Sequence, residues 1–253
     1  MVVSTLTQCK GTPWTKRRIL VEGDFGVIGR IAGVVWCPRA TLAALVRQPT
    51  WVATWLLILI VWAICGAWLL SSDVGRQALI DERVRVVEAF GGTVTDDEYA
   101  ALLANPPWWV YFTSGGRLLL TPEVTLLIAV ALWATARFDG ASITPSQALS
   151  VAVHASIVLL LGQLIATPLH YVRESLTSPL NLAAVLPLME EGTVPARFFG
   201  TLDLFAIWWA ALLAMGLSVL TKRRTSRYLV PLAGVYLGFA GLMAAIIAAT
   251  GGA

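Results

Sequence analysis

The chain has 253 residues, of which 57% are hydrophobic and only 13% charged, and its formal charge at neutral pH is +3. Its mean hydropathy is +0.75, which excludes an ordinary soluble domain or a disordered chain and places it among proteins that cross a membrane several times. So small a net charge says little about partners; where the charges fall along the chain says more.

The first 18 residues, ending in TPWTKRR, are polar and basic and hold no apolar run of the signal-peptide kind, so the first span is expected to stay in place as an uncleaved anchor. Residues 19–36 bring Phe25, Ile28, Ile31 and Val35 to helical spacing. Glycines interrupt the run and it is too short to span, so an amphipathic helix lying in the interface is expected. Pro38 suits the first turn of a second short helix, which Pro49 stops. Leu42, Leu45 and Val46 give that helix a greasy side, and Arg39 and Arg47 are placed to contact lipid phosphates. Residues 1–50 therefore read as a basic tail with interfacial helices, ahead of a membrane domain over 51–253.

About 20 apolar residues at 1.5 Å rise cover the ~30 Å hydrocarbon core of a bilayer. Runs of that kind are expected at about 51–70, 118–136, 147–168, 200–220 and 229–249. The fold class is thus an all-α membrane protein, a five-span helical bundle. Trp51 and Trp68 fall where the two aromatic belts belong. Between the first two spans, residues 71–117 form a long loop. In it Val74, Leu79, Val84, Val87 and Phe90 share one side of a helix that Gly91 and Gly92 end. Thr95 and Glu98 have the spacing of a capping box, which opens a second short helix. Asn105-Pro106-Pro107 stops it, and Trp108, Trp109, Tyr111 and Phe112 bring the chain back to an interface. The loop at 168–199 carries Pro168, Pro179, Pro187 and Pro195 and is expected to hold one or two short helices.

Lysines and arginines give the orientation. One side would hold Lys10, Lys16, Arg17, Arg18, Arg30, Arg39 and Arg47, then Arg137, then Lys222, Arg223, Arg224 and Arg227. The other has only Arg76, Arg83, Arg85, Arg117, Arg173 and Arg197, spread over much more chain. By the positive-inside rule the N-terminus is cytoplasmic and the C-terminus extracytoplasmic.

Lipid gives helices no hydrophobic reason to associate, so small residues mark close approaches. Gly234, Gly238, Gly241, Ala245, Ala248 and Gly252 form a heptad seam on the last span. Ala148, Ala152, Ala155, Leu159, Gly162 and Ala166 repeat its steps on the third. These two spans are expected to pack centrally against each other; the alternative is a homodimer through Gly234-x-x-x-Gly238.

Two stretches carry a resemblance. CPRATLAALVRQPTW, residues 37–51, sets Pro38, Leu42, Leu45, Pro49 and Trp51 just before the first span, and TLDLFAIWW, residues 201–209, sets Asp203, Phe205 and Trp208 at the opening of the fourth. With the five-span layout they resemble the bacterial branch of the Yip (Ypt/Rab-interacting protein) domain family, over about residues 30–250. The resemblance implies a five-span bundle. Eukaryotic members bind Rab-type GTPases, but their Tyr-Gly-Pro-type motif has no match here, and a Rab GTPase is not expected as partner.

Charge at membrane depth is a functional hypothesis by default. Glu123 and Asp203 fall in the first turns of their spans, Gln163 near the end of the third, and His170 just beyond it. All four would lie at the extracytoplasmic end, where they are candidates for a polar pocket binding a cation, a proton or a lipid head group. The plainer alternative pairs Asp203 and Glu123 with Arg197 or Arg117. His154 is expected to hydrogen-bond a neighbouring helix, with proton transfer as the sharper alternative. Ser156 is two residues from His154 on a helix and points elsewhere, so no serine nucleophile is paired with a base. The three cysteines, Cys9, Cys37 and Cys65, share no metal-type spacing and suggest no disulfide framework. No Walker or dinucleotide-binding glycine pattern occurs. No cofactor, metal or nucleic acid is expected, and the partners expected are the bilayer, a membrane protein or a second copy. The reading is a non-catalytic scaffold or accessory subunit of a bacterial inner membrane, organising a partner or local lipid; the alternative is a small transporter or channel component using the outer polar cluster.

Overall fold

A computed structural model of the chain describes residues 26–104, 108–185 and 193–250, with the side chains of 108–122 and 250 left aside. The basic tail, Phe25, the Asn105-Pro106-Pro107 stop, the aromatic cluster after it, Arg117, Pro187 and Gly252 lie outside that description.

The described chain is helical, with one isolated bridge between Asn181 and Asp203. Two short helices, α1 (Val27–Trp36) and α2 (Pro38–Arg47), precede α3 (Val52–Ser71). Pro38 opens α2 as its position requires. Next come α4 (Asp73–Ala89) and α5 (Asp96–Ala104). Gly91, at φ 80°, turns the chain out of α4. Thr95 and Glu98 then form the expected reciprocal cap: the Thr95 N–H donates to Glu98 Oε2 at 3.0 Å and the Glu98 N–H to Thr95 Oγ1 at 3.3 Å.

Helix α6 (Trp108–Phe138) contains the expected second span, and its 31 residues at about 1.5 Å rise are ample to cross a bilayer. The third crossing is built from α7 (Pro145–Ala155) and α8 (Ile157–Val172), joined by a turn at Ser156. Thr144 and Gln147 cap it reciprocally, at 2.8 and 3.3 Å. Helix α8 runs past Pro168, where a loop was expected; a single proline removes one helical bond without ending the helix here. The short α9 (Leu182–Val185) and α10 (Val194–Thr201) lead into α11 (Leu204–Thr221) and α12 (Ser226–Thr250). Among the described residues, four segments are long and apolar enough to cross a membrane: Val52–Ser71, Pro145–Val172, Leu204–Thr221 and Ser226–Ala249. With α6 they account for the expected five.

The third crossing is central, as its small-residue seam implies, since 61% of its apolar stretch is buried inside the protein. Ala148, Ala152 and Ala155 are at most 1% exposed. Its close partner is α11. A Cβ on Gly216 would stand 2.2 Å from Val151 Cγ1, and one on Gly162 would stand 2.8 Å from Phe205 Cγ. Each helix thus gives up a side chain so that the other can approach.

The last span corrects the expectation. Only 11% of the apolar stretch of α12 is buried, and it packs on α10 and α11 at the edge of the bundle rather than on α7 and α8. A Cβ at Gly234 or Gly238 would meet nothing within 4 Å.

The cysteine expectation also needs revision. Cys65 is a buried free thiol, but Cys37 is disulfide-bonded, to a partner outside the described residues. Sequence spacing cannot reveal a contact made by folding.

Candidate functional site

The two ends of the bundle differ in chemistry. At one end lie α1, α2, the α6–α7 turn and the α11–α12 turn. Helix α2 packs across α7 and α11, and α1 folds back on α2 and reaches α7 and α8. Val34, Leu42 and Leu45 are buried and share one apolar core with Ile58, Val151 and Leu213. The greasy side of α2 therefore faces protein, which revises the lipid-facing expectation for it. Gln147 Nε2 donates to the Val46 carbonyl at 2.8 Å, fixing the α2 end to the start of α7. What remains outward is selective: Ile28 is 83% exposed and Trp36 77%.

Arg39 and Arg47 are both exposed, and Arg39 Nη1 donates to Thr225 Oγ1 at 3.5 Å, tying the arm to the α11–α12 turn. That turn is cationic. Lys222, in left-handed conformation at φ 58°, ends α11, and Lys222, Arg223, Arg224 and Arg227 line an open pocket with Ser226 and Val230. The Ser218 hydroxyl donates to the Arg223 carbonyl at 2.6 Å and holds the turn in place.

A second clasp joins this turn to the α6–α7 turn. Arg227 Nη2 donates to Asp139 Oδ1 at 2.7 Å, and the Tyr228 hydroxyl donates to Asp139 Oδ2. These two donors, Tyr228 first and then Arg227, hold the Asp139 carboxyl below its ordinary value. Tyr228 itself is only 4% exposed. Asp139 and Tyr228 are 89 residues apart, and no local pattern announces the pair.

Between the ends, His154 is fully buried. Its Nδ1 lies 2.8 Å from the Ser150 carbonyl, which can only accept, so Nδ1 carries a proton. In the neutral ring, Nε2 at 3.1 Å accepts from the Thr54 hydroxyl of α3. His154 therefore binds a neighbouring helix, as expected. Among the described residues, the Ser150 hydroxyl on α7 and the indole N–H groups of Trp62 on α3 and Trp209 on α11 are buried without a hydrogen-bond partner.

The four residues proposed for the opposite end sit in separate settings. Asp203 is the N-cap of α11: Oδ1 accepts from the Phe205 and Ala206 N–H groups at 2.8 and 3.0 Å. Its Oδ2 accepts from the Ser178 hydroxyl at 2.8 Å. The Asp203 N–H donates to the Tyr236 hydroxyl, which donates to the Thr201 carbonyl, both at 3.0 Å. Among the described residues, neither Glu123 nor Arg197 is bonded to it. Gln163 Nε2 donates to Thr167 one turn along its own helix at 3.0 Å. His170 Nδ1 donates to the Ser175 carbonyl at 2.8 Å and closes the end of α8. Glu123 is exposed on α6.

A family model described as the Yip1 domain matches residues 32–248. The chain belongs to the Yip1 domain family. No curated protein matches it, and no solved structure does. The matched region of this Yip1 domain begins inside α1 and takes in α2, so the arm lies within the family unit. The resemblance motifs acquire physical reasons here. Pro38 starts α2, Leu42 and Leu45 fill the bundle end, and Trp51 stacks edge-on with Trp55, ring centres 6.2 Å apart. In the second motif Asp203 caps α11 and Phe205 fills the space over Gly162. Trp208 lies against Phe205, 6.2 Å between ring centres.

Proposed function

We propose that this Yip1-domain protein is a non-catalytic scaffold or accessory subunit of a bacterial cytoplasmic membrane, with its arm-bearing end in the cytoplasm. The observation that carries the reading is the arm. It is folded into the bundle by Val34, Leu42 and Leu45, yet it leaves Ile28 and Trp36 exposed, as it does Arg39 and Arg47. A helix pair fixed on one side and apolar with flanking cations on the other suits a surface that recruits a membrane partner or rests on lipid head groups. Arg39, Arg47, Arg137 and the Lys222–Arg227 turn gather at this same end, which supports the cytoplasmic assignment by the positive-inside rule. The alternative of transport through an outer polar cluster draws no support from Asp203, Gln163 and His170, whose hydrogen bonds serve helix ends and their own turns.

Co-purification of the full chain in mild detergent tests the proposal. A stoichiometric membrane partner is expected with the native protein and lost with Ile28→Asp, which changes an exposed side chain and leaves the core intact. Partner capture unaffected by Ile28→Asp and Trp36→Ala together would overturn the role of the arm. Ion-dependent flux in liposomes would replace the reading with transport.

A further inference from the structure

We propose that the pocket at the α11–α12 turn is a binding site for the phosphate of an anionic phospholipid, with one acyl chain lying along the outer strip of α12. The inference deepens the proposed function and rests on its placing of this end at a membrane surface.

Charge comes first. Four cationic residues, Lys222, Arg223, Arg224 and Arg227, line the pocket. Asp139 engages Arg227 directly and faces Arg223 electrostatically. The side chains of Lys222 and Arg224 make no hydrogen bond or ion pair among the described residues. So the pocket keeps an unbalanced positive charge at the end of two membrane spans, the setting in which basic pockets take lipid head groups.

Backbone conformation is the second observation. Lys222 stands in the left-handed region, at φ 58° and ψ 29°. Glycine takes that position at a helix end without strain, and lysine does not. If the turn only had to end α11, glycine would do so better. A lysine here accepts strain and in return puts a cationic residue into the pocket lining.

The third observation is amphipathic continuity, which selects a lipid over a free anion. Arg227, Val230, Gly234 and Gly238 follow one another at steps of three or four residues and so lie on one strip of α12. Val230 lines the pocket and is 70% exposed. Beyond it, Gly234 and Gly238 have open space where a side chain would stand. The strip therefore runs from a cationic pocket into a shallow apolar trough directed along the span, which matches a head group followed by a hydrocarbon chain.

The test uses the purified full chain in mild detergent, read by native mass spectrometry for bound lipid and by thermal unfolding. The probes are phosphatidylglycerol and phosphatidylcholine of the same acyl chains, with millimolar inorganic phosphate as competitor. Two unpaired cations at about fivefold each predict roughly 25-fold preference for phosphatidylglycerol at low salt. The double variant Lys222→Gly and Arg224→Gln should lose that preference. Its lipid-free melting temperature should be unchanged or higher, because glycine relieves the left-handed strain. Equal binding of the two lipids, or a preference that survives the double variant, overturns the proposal. Complete displacement by inorganic phosphate would assign the pocket to a free anion and overturn it equally. Equal binding of the two lipids by the native chain, with partner capture by the arm retained, would defeat this inference alone.

Discussion

Replacing Asp203 by alanine should remove the junction that starts α11. The carboxylate accepts two backbone N–H groups, at 2.8 and 3.0 Å, and the Ser178 hydroxyl at 2.8 Å. Losing an N-cap costs about 1 kcal/mol, within a range of roughly 0.5–2. A hydrogen bond to a charged group adds about 1.5–3 kcal/mol, the lower end applying at this half-buried position. The total is about 2–4 kcal/mol, which for a chain of this size lowers the melting temperature by roughly 4–16 °C. Asparagine caps a helix as well as aspartate does, so Asp203→Asn should cost about 1 kcal/mol or less. The assay is thermal unfolding in detergent, with Ser178→Ala and Glu123→Gln each combined with Asp203→Ala. Ser178→Ala should be non-additive, because it shares a bond with Asp203, and Glu123→Gln should be additive. Equal stability of the alanine and asparagine variants would refute the capping argument. Coupling to Glu123 instead of Ser178 would restore the outer polar pocket.

Three further outcomes follow from contacts elsewhere. Gly216→Ala should destabilise the bundle by about 1–3 kcal/mol in detergent unfolding, because its Cβ would overlap Val151, whereas Gly234→Ala should be neutral or slightly stabilising. Leu42→Ala, at a site with 0% exposure, should cost about 2–5 kcal/mol and make the 37–51 stretch cleavable by added protease before the spans unfold. Asp139, whose folded value is depressed, contributes stability that is complete above the ordinary carboxylate value of 3.8 and lost as pH falls through its lowered value; Asp139→Asn should therefore flatten the acid limb of a melting-temperature profile.

What could be read from the sequence was whatever a few adjacent residues decide. Pro38, the Thr95–Glu98 box and Gly91 each act within one turn, and the structure uses all of them. Span lengths are equally local, since a bilayer demands a run of apolar residues whatever packs beside it. Asp203 was legible in a different sense than charge at membrane depth suggests. An aspartate directly before an apolar helical run is a helix-start signal, and the structure uses the carboxylate in that way. The clasp of Asp139 with Tyr228 and Arg227 was not legible, because it joins turns from two different hairpins and neither turn has a motif.

The two small-residue seams show where pattern stops and packing begins. The third and last spans carry the same steps of small residues, yet one is the centre of the bundle and the other its edge. A small residue permits close approach, but the partner must present a side chain that fills the space. Gly162 receives Phe205, and Val151 reaches the space left by Gly216, so α8 and α7 are matched to α11 on both sides of the contact. Gly234 and Gly238 have no such counterpart among the described residues. Their strip faces outward, continuous with Val230 and the cationic turn. A seam without an internal partner faces the surroundings of the protein, and in a membrane those surroundings are acyl chains or a second helix. The exposed cations at its head distinguish the two: a second copy would bring the same charges face to face in a parallel dimer, whereas an anionic lipid neutralises them.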